Sequence, residues 1–310
     1  MIFIDIEEAF HKIAFFEKLK LKQRKKENIF RKAAITHWLQ GDIPNAWVNK
    51  KTQLRWCEYL GYYKKPSVIY NAVPFPPNVN PQFSFLDLFA GIGGFRIALQ
   101  ELGGKCVFSS EWNAAAQQTY YKNFGEFPFG DIRDFTSKEI SDHKLNALIP
   151  DHEILVAGFP CQPFSHAGVS ARSSIGKNHG FECKTQGTLF FDICRIADVK
   201  KTKVLLLENV KNLQSHDSGK TFDTIKESLD RLGYDFFFDI IDASSEVPQH
   251  RERCYMVCFR KKLKIIFKFP EFSNKKKILK AILEEDVPKQ YTISSRLWKG
   301  HVNRSARNVA

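Results

Sequence analysis

Apolar and polar positions along this chain follow two textures that change near residue 82. Up to residue 65 the sequence is dense in helix formers, as in EEAFHKIAFFEKLKLKQRKK, and SVIYNAVPFPPNVNPQ (67–82) breaks the pattern with four prolines. A helical unit over 1–65 and a linker over 66–82 are predicted, and the unit is expected to fold on its own. From Phe83, short apolar runs alternate with helical patterns: FSFLDLF, KCVFSSEW, EILVAGF, KVLLLENV, FFFDIIDA and CYMVCFR. Strands apolar on both faces are what a parallel sheet covered by helices on each side requires. After the first run, Phe95, Ala98 or Leu99, and Leu102 recur at helical spacing, which makes a βαβ unit. The fold class predicted is α/β: a doubly wound, mostly parallel sheet over 83–270, a small helical domain before it, and 271–310 set apart as a further region.

Composition agrees and excludes some classes. A chain of 310 residues with 43% hydrophobic content buries a full core. No run of eighteen apolar residues occurs, and the start MIFIDIEEAFHK carries acids where a leader needs basic and then apolar residues, so a cytoplasmic protein with no membrane partner is expected. The seven cysteines, an odd number, lack CxxC spacing, which argues against a disulfide framework and a zinc knot. The net charge of +13 sits in the flanks: residues 1–82 hold 14 Lys and Arg against 7 Asp and Glu, 83–243 hold 17 against 21, and 244–310 hold 16 against 6. Basic flanks suit a polyanion, because each neutralised phosphate releases counterions. A solvated surface explains the same runs.

Two ends of predicted strands carry chemistry. DLFAGIGGF (87–95) is a glycine turn between strand and helix, but its glycines are Gly91, Gly93 and Gly94, and Arg96 stands where a dinucleotide fingerprint needs the third glycine. Glu111, twenty residues after Gly91, suits ribose hydroxyls, and Asp131 in GDI suits an adenine amino group. A ribose and an adenine without a pyrophosphate describe S-adenosylmethionine better than NAD. In GFPCQPFSHAG (158–168), Pro160 and Pro163 end a strand and hold Cys161 on a rigid turn at its carboxyl end, where open α/β sheets bind ligands. The next strand ends in Glu208-Asn209-Val210. A thiolate adds to an electron-poor ring that an acid activates, so a thiol and a carboxyl at neighbouring strand ends make a candidate pair.

In order, DLFAGIGGF, the acid in SSEWN, GDIRD, GFPCQPFS, GTLFFDI, ENVKNL and QHRERCYMVCFR resemble the motifs of the DNA (cytosine-5) methyltransferases. The likeness runs from residue 83 to about 260 and into YTISSRLWKGH, which resembles the entry to the target-recognition region of bacterial Dcm-type enzymes. The resemblance implies methyl transfer from S-adenosylmethionine to C5 of a flipped cytosine in double-stranded DNA, in a restriction-modification or orphan setting. It makes Cys161 the nucleophile, with Gln162 and Pro160 in its turn, Glu208 the holder of the cytosine N3 edge, and Asn209 the support of that loop. Arg251 and Arg253 match the two arginines, Arg253 at the base. Phe89, Gly91, Gly93, Gly94, Ile132 and Pro160 would line the cofactor pocket, with Glu111 on the ribose, Trp112 against the adenine and Asp131 on its amino group. Residues 165–186 match a loop that closes over DNA.

The chain departs from the pattern after Arg260, where fifty residues hold neither a full target-recognition region nor the glycine-asparagine motif that returns to the cofactor pocket. A second chain supplying both, a remnant, or a shortened form are the expectations. A DNA-binding regulator is the alternative: residues 33–62 resemble a helix-turn-helix, with Trp38 and Leu39 as core and GDIP as the turn. A plain helical extension fits as well. A tRNA target is disfavoured by the Dcm-like details.

Overall fold

The apolar runs after residue 82 become strands. A computed structural model describes residues 8–13, 25–40, 46–61, 73–160, 189–273 and 277–307. Its strands are β1 (Phe83–Leu88), β2 (Gly104–Ser110), β3 (Ile154–Gly158), β4 (Val204–Val210), β5 (Tyr234–Asp242) and β6 (Glu252–Arg260), in one sheet ordered β2-β1-β3-β4-β6-β5. Strands β1 to β4 pair in parallel and β6 pairs antiparallel to β4. The carboxyl ends of β1 to β4 and the amino end of β6 therefore lie along one edge. Sheet order reverses between β1 and β3, the switch point at which such sheets hold ligands.

Helices cover the sheet. In the compact unit that holds the sheet they are α1 (Lys25–Gln40), α2 (Lys50–Tyr59), α3 (Gly94–Glu101), α4 (Ala114–Phe124), α5 (Arg133–Thr136), α6 (Asp142–Leu148), α7 (Leu189–Val199) and α8 (Lys220–Arg231), while α9 (Ser295–Arg307) belongs to a second unit. Asn113 caps α4 by accepting from the amides of Ala115 and Ala116, and Gly125 ends it at a φ of 68°, a left-handed conformation that glycine adopts without strain. Helix α7 buries Phe190, Phe191, Ile193, Cys194, Ile196 and Ala197, so the LFFDICRIA run is helical and not a strand. No described helix is long and apolar enough to cross a membrane.

Two expectations are corrected by the packing. Residues 1–65 do not form a unit apart: Ala33, Ile35, Trp38 and Trp56 bury into the same core as Phe108, Leu155 and Leu205, and the helices belong to one compact unit with the sheet. Their apolar face is covered by Phe129, on which the Trp47 indole stacks at 4.5 Å and the His37 ring at 5.1 Å. Each such pair adds about 0.5–1.5 kcal/mol to the burial itself. A sequence pattern shows that a helix face is apolar but not what covers it. The Leu39 side chain and the GDIP turn lie outside the described residues. Second, the region of GDI is no full strand; only Phe129 bridges to Ser110, in parallel. The described part of the 66–82 stretch is a strap: Asn78 Nδ2 donates to the carbonyls of Gln100 (2.7 Å) and Gly104 (2.8 Å), and Phe75 N to Asn123 O (3.0 Å).

A second compact unit comprises 242–251 and 270–310. Within it, Asp242 accepts from the amides of Ser244 and Arg251. Burial works against ionisation there, but these bonds with those from the Ser244 hydroxyl and His250 hold the carboxyl well below the usual range. The described side chains from 270 to 273 and from 277 to 303 are almost all exposed.

Candidate active site

The turn after β1 is held by backbone conformations that cost energy. Phe89 has a φ of 55°, strained for a side chain with a Cβ, and Gly91 and Gly93 have φ of 55° and 96°. At Gly93 no other residue fits, because a Cβ would stand 2.1 Å from Phe124 Cε2. At Gly91 and Gly94 a Cβ would meet nothing within 4 Å among the described residues, which leave open space at the turn there.

Glu111, 8% exposed, follows β2 and lies against this turn. Its Oε2 accepts from Gly91 N at 2.9 Å and its Oε1 from Asn113 N at 2.8 Å. Its own amide donates to Phe129 O at 2.8 Å. Trp112 beside it is 77% exposed and Ile92, in the turn, is 59% exposed. Below the turn Asp87 is fully buried, Oδ2 lies 3.5 Å from the Tyr120 hydroxyl, and Oδ1 has no hydrogen-bond partner among the described residues. Burial pushes that carboxyl up to about 8, against the pull of the Arg96 guanidinium.

Asp131 accepts both Nε contacts of Arg133 at 3.0 Å and caps Arg133 N at 3.0 Å, while Ile132 is buried. The motif GDIRD thus supplies its own cation for the acid, two residues on. With Arg133 62% exposed, the pair adds at most about 1 kcal/mol.

At the other side of the switch point, β3 ends at Gly158 and leads through buried Phe159 to exposed Pro160. Cys161, Gln162 and the segment 165–186 lie outside the described residues. Gly158 pairs with Glu208, and a Cβ on Gly158 would stand 3.4 Å from Glu208 Oε2. The carboxylate thus lies over the end of β3, three residues before Cys161. Arg253, near the start of β6, reaches the same group, Nε to Oε1 at 2.9 Å, with both side chains about one-fifth exposed. Asn209, 2% exposed, donates from Nδ2 to Phe159 O at 2.9 Å and ties β4 to the chain leaving β3. Arg251 belongs to the second unit, where its amide bonds to Asp242.

The edge therefore brings together Phe89, Gly91, Gly93, Gly94, Glu111 and Trp112 on one side of the switch point, and Pro160, Glu208, Asn209 and Arg253 on the other. Gly158, which pairs with Glu208 and lies beneath its carboxylate, has no role in the sequence reading. Its signal is present in retrospect, as a glycine closing an otherwise apolar strand.

Comparison with known proteins agrees with this geometry. Residues 83–310 match the C-5 cytosine-specific DNA methylase family. The chain is 41% identical over 296 residues to the DNA-cytosine methyltransferase of Escherichia coli (strain K12), a match covering 85% of this chain and 61% of that protein. Because 85% of the chain exceeds residues 83–310, that likeness reaches into the N-terminal segment. It is 45% identical over 214 residues to the Type II methyltransferase M.HhaI of Haemophilus parahaemolyticus, covering 68% of this chain and 60% of the relative. The chain thus spans about three fifths of the length of these relatives. In fold it is similar to the crystal structure of S. pombe Dnmt2 methyltransferase, with a TM-score of 0.50 and 18% identity over 71% of this chain and 66% of that one. Ordered motifs, sheet order and family match converge on one conclusion: the chain belongs to the C-5 cytosine-specific DNA methylase family.

Proposed function

We propose that this chain is the catalytic part of a DNA (cytosine-5) methyltransferase that uses S-adenosylmethionine and acts on duplex DNA in the bacterial cytoplasm. The observation that carries this is the Glu208 carboxylate lying over the end of β3, three residues before Cys161 and in ion-pair contact with Arg253. The segments of the relatives beyond the stretch matched here would join it, as continuing polypeptide or as a second chain.

The residues fit the cofactor. Open space at Gly91 and Gly94 admits a ligand against the turn, Glu111 offers carboxylate oxygens at its rim, and exposed Trp112 offers a ring to an adenine. Phe89 and Ile132 complete the wall, and Asp131 takes the amino group by exchanging Arg133 for it. When bound, S-adenosylmethionine supplies an electrophilic methyl group. Every other demand falls on the chain.

Cytosine C5 is a poor nucleophile. Addition of the Cys161 thiolate at C6 moves an electron pair onto C5, and the acid form of Glu208 favours this by donating its proton to N3, where negative charge develops. Arg253 orients Glu208, and Asn209 fixes the strand exit that carries Pro160 and Cys161. Once C5 is alkylated, loss of its proton and elimination of the thiolate restore the ring. None of this is accessible in a stacked duplex, so the base must leave the helix.

The test is covalent trapping. A duplex containing 5-fluorocytosine, offered with S-adenosylmethionine and the remaining segments of a relative, should leave an adduct on Cys161, and Cys161→Ser should form none, since an alkoxide is not accessible at neutral pH. An adduct on Cys106 or Cys254 instead would overturn the assignment. Both are buried, with thiols pushed well up by burial, beyond the usual range for Cys106 and to about 11 for Cys254.

A further inference from the structure

Arg96 follows the glycine turn directly and is fully buried. Its Nε donates to Gln100 Oε1 at 2.6 Å, and its two terminal nitrogens donate to the Tyr120 hydroxyl at 3.1 Å and to Glu126 Oε2 at 2.8 Å. Glu126 is also fully buried, and its Oε1 lies 2.8 Å from Nδ1 of His37 on α1. Burial alone would push the Glu126 carboxyl up, but Arg96 and His37 outweigh it and hold it at about 2. To hold a helix against a sheet, apolar residues of the same volume serve as well as a buried ion pair. A guanidinium fork adds something different, a fixed orientation of the groups around it.

Those groups support the turn. The Tyr120 and Phe124 rings lie under Gly93, and Arg96 stacks over Phe124 at 4.5 Å. A second line leaves the same helix. The His37 ring stacks on Phe129 with 20° between planes, and Trp47 stacks on Phe129 as well. Phe129 clasps the end of β2, donating its amide to Ser109 O at 2.8 Å and accepting from Glu111 N at 2.8 Å. The two lines meet where Gly91 N donates to Glu111 Oε2.

We propose that helix α1, with Trp47 beyond its end, braces the cofactor pocket, and that His37 is a positioning residue which fixes the glycine turn and the Glu111 carboxylate at the spacing a ribose needs. This role rests on the cofactor reading given above. It assigns this N-terminal helix to the catalytic unit's own geometry, and it makes His37, more than 70 residues from Glu111 in sequence, a determinant of cofactor affinity.

The test uses the full 310 residues in four forms: unaltered, His37→Ala, His37→Asn, whose side-chain amide can donate from the place of Nδ1, and Trp47→Leu, which removes one of the rings on Phe129 together with its bond to Leu148 O and leaves the ion pairs intact. Amide hydrogen exchange is followed at residues 89–94 and at Leu155 and Leu205, and S-adenosylmethionine affinity is measured by calorimetry. His37→Ala and Trp47→Leu should raise exchange in the turn roughly tenfold, with Leu155 and Leu205 unchanged, and weaken the cofactor by a like factor. His37→Asn should restore both. Exchange unchanged in the turn, exchange rising at all sites together, or failure of both altered forms to fold would overturn the brace in favour of a plain core role. If the unaltered chain, supplied with the remaining segments of a relative, binds no S-adenosylmethionine while the exchange pattern holds, the cofactor reading falls and the brace on the turn stands.

Discussion

Asn209 Nδ2 donates to the carbonyl oxygen of Phe159 at 2.9 Å, and both residues are buried. The last turn of chain before Pro160 and Cys161 is thus hung from the end of β4. Asn209→Asp keeps the shape and loses the donor, leaving a buried carbonyl facing an acceptor. It is expected to lower stability by about 1–3 kcal/mol in urea unfolding and to reduce adduct formation at Cys161 by more than that loss explains. Full trapping at normal rate would show that the strand exit does not need this tie.

Glu208 and Arg253 meet at 2.9 Å and act as one unit. Glu208→Gln is expected to slow methyl transfer by a factor on the order of 10², and Arg253→Met to slow it comparably. The double variant should lose little more than either single one, since each removes the same oriented carboxylate. Initial rates of tritiated methyl transfer, with the remaining segments of a relative supplied, give the cycle. Additive losses would separate the two residues.

Gly93 and Gly94 are neighbours with opposite expectations. At Gly93 the φ of 96° and the Phe124 ring 2.1 Å from an added Cβ make Gly93→Ala destabilising by about 1–3 kcal/mol. At Gly94 the space is open and the backbone helical, so Gly94→Ala should hold or slightly raise stability while filling room meant for the cofactor. Thermal melting beside S-adenosylmethionine titration checks both. A Gly94→Ala chain with unaltered affinity would remove that position from the pocket.

His152 gives the folded chain an acid limit. Its Nδ1 donates to Pro150 O at 2.9 Å and its Nε2 accepts from Thr202 at 2.8 Å. Burial pushes its pKa down to about 4, despite the help of the Pro150 carbonyl. Below its ordinary value of 6.5 the unfolded chain takes up a proton that the folded chain refuses until about 4. Stability present above pH 6.5 is therefore lost as pH falls through that window. Urea midpoints should fall more steeply from pH 7 to 4.5 in the unaltered protein than in His152→Asn, the difference reaching about 1–3 kcal/mol. Parallel curves would assign the acid limit elsewhere.

The strands and the groups at their ends were legible because they are local. An apolar run and then a glycine or proline mark the ends of β1 and β3, an apolar run and then an acid mark β2 with Glu111 and β4 with Glu208 and Asn209, and Glu208 needs no partner to be noticed. The approach of Gly158 to Glu208 is a contact across fifty residues. Arg96 shows the limit most sharply. By the dinucleotide fingerprint it counts only as the absence of a glycine, whereas in the fold it is a buried cation bonded to residues 24 and 30 positions away. The N-terminal helices were legible as helices, but their contacts with Phe129 and Glu126 span some ninety residues. Periodicity reports a face and leaves its partner unnamed. The positions from 161 to 188 lie outside the described residues, so Cys161 rests on the sequence and on the strand that leads to it.

Strand β6 buries Cys254, Met256 and Cys258 on one face and turns Arg253, Tyr255 and Val257 the other way. The alternation that seals the core thus also aims Arg253 at Glu208. A single residue inserted or deleted inside β6 would swap the two sets, burying the guanidinium and presenting a thiol to the carboxylate. The loop between β5 and β6 carries no such lock. A change of length between residues 243 and 250 would disturb the bonds that Asp242 receives across the loop, whereas one a few positions later would exchange the two faces of the strand.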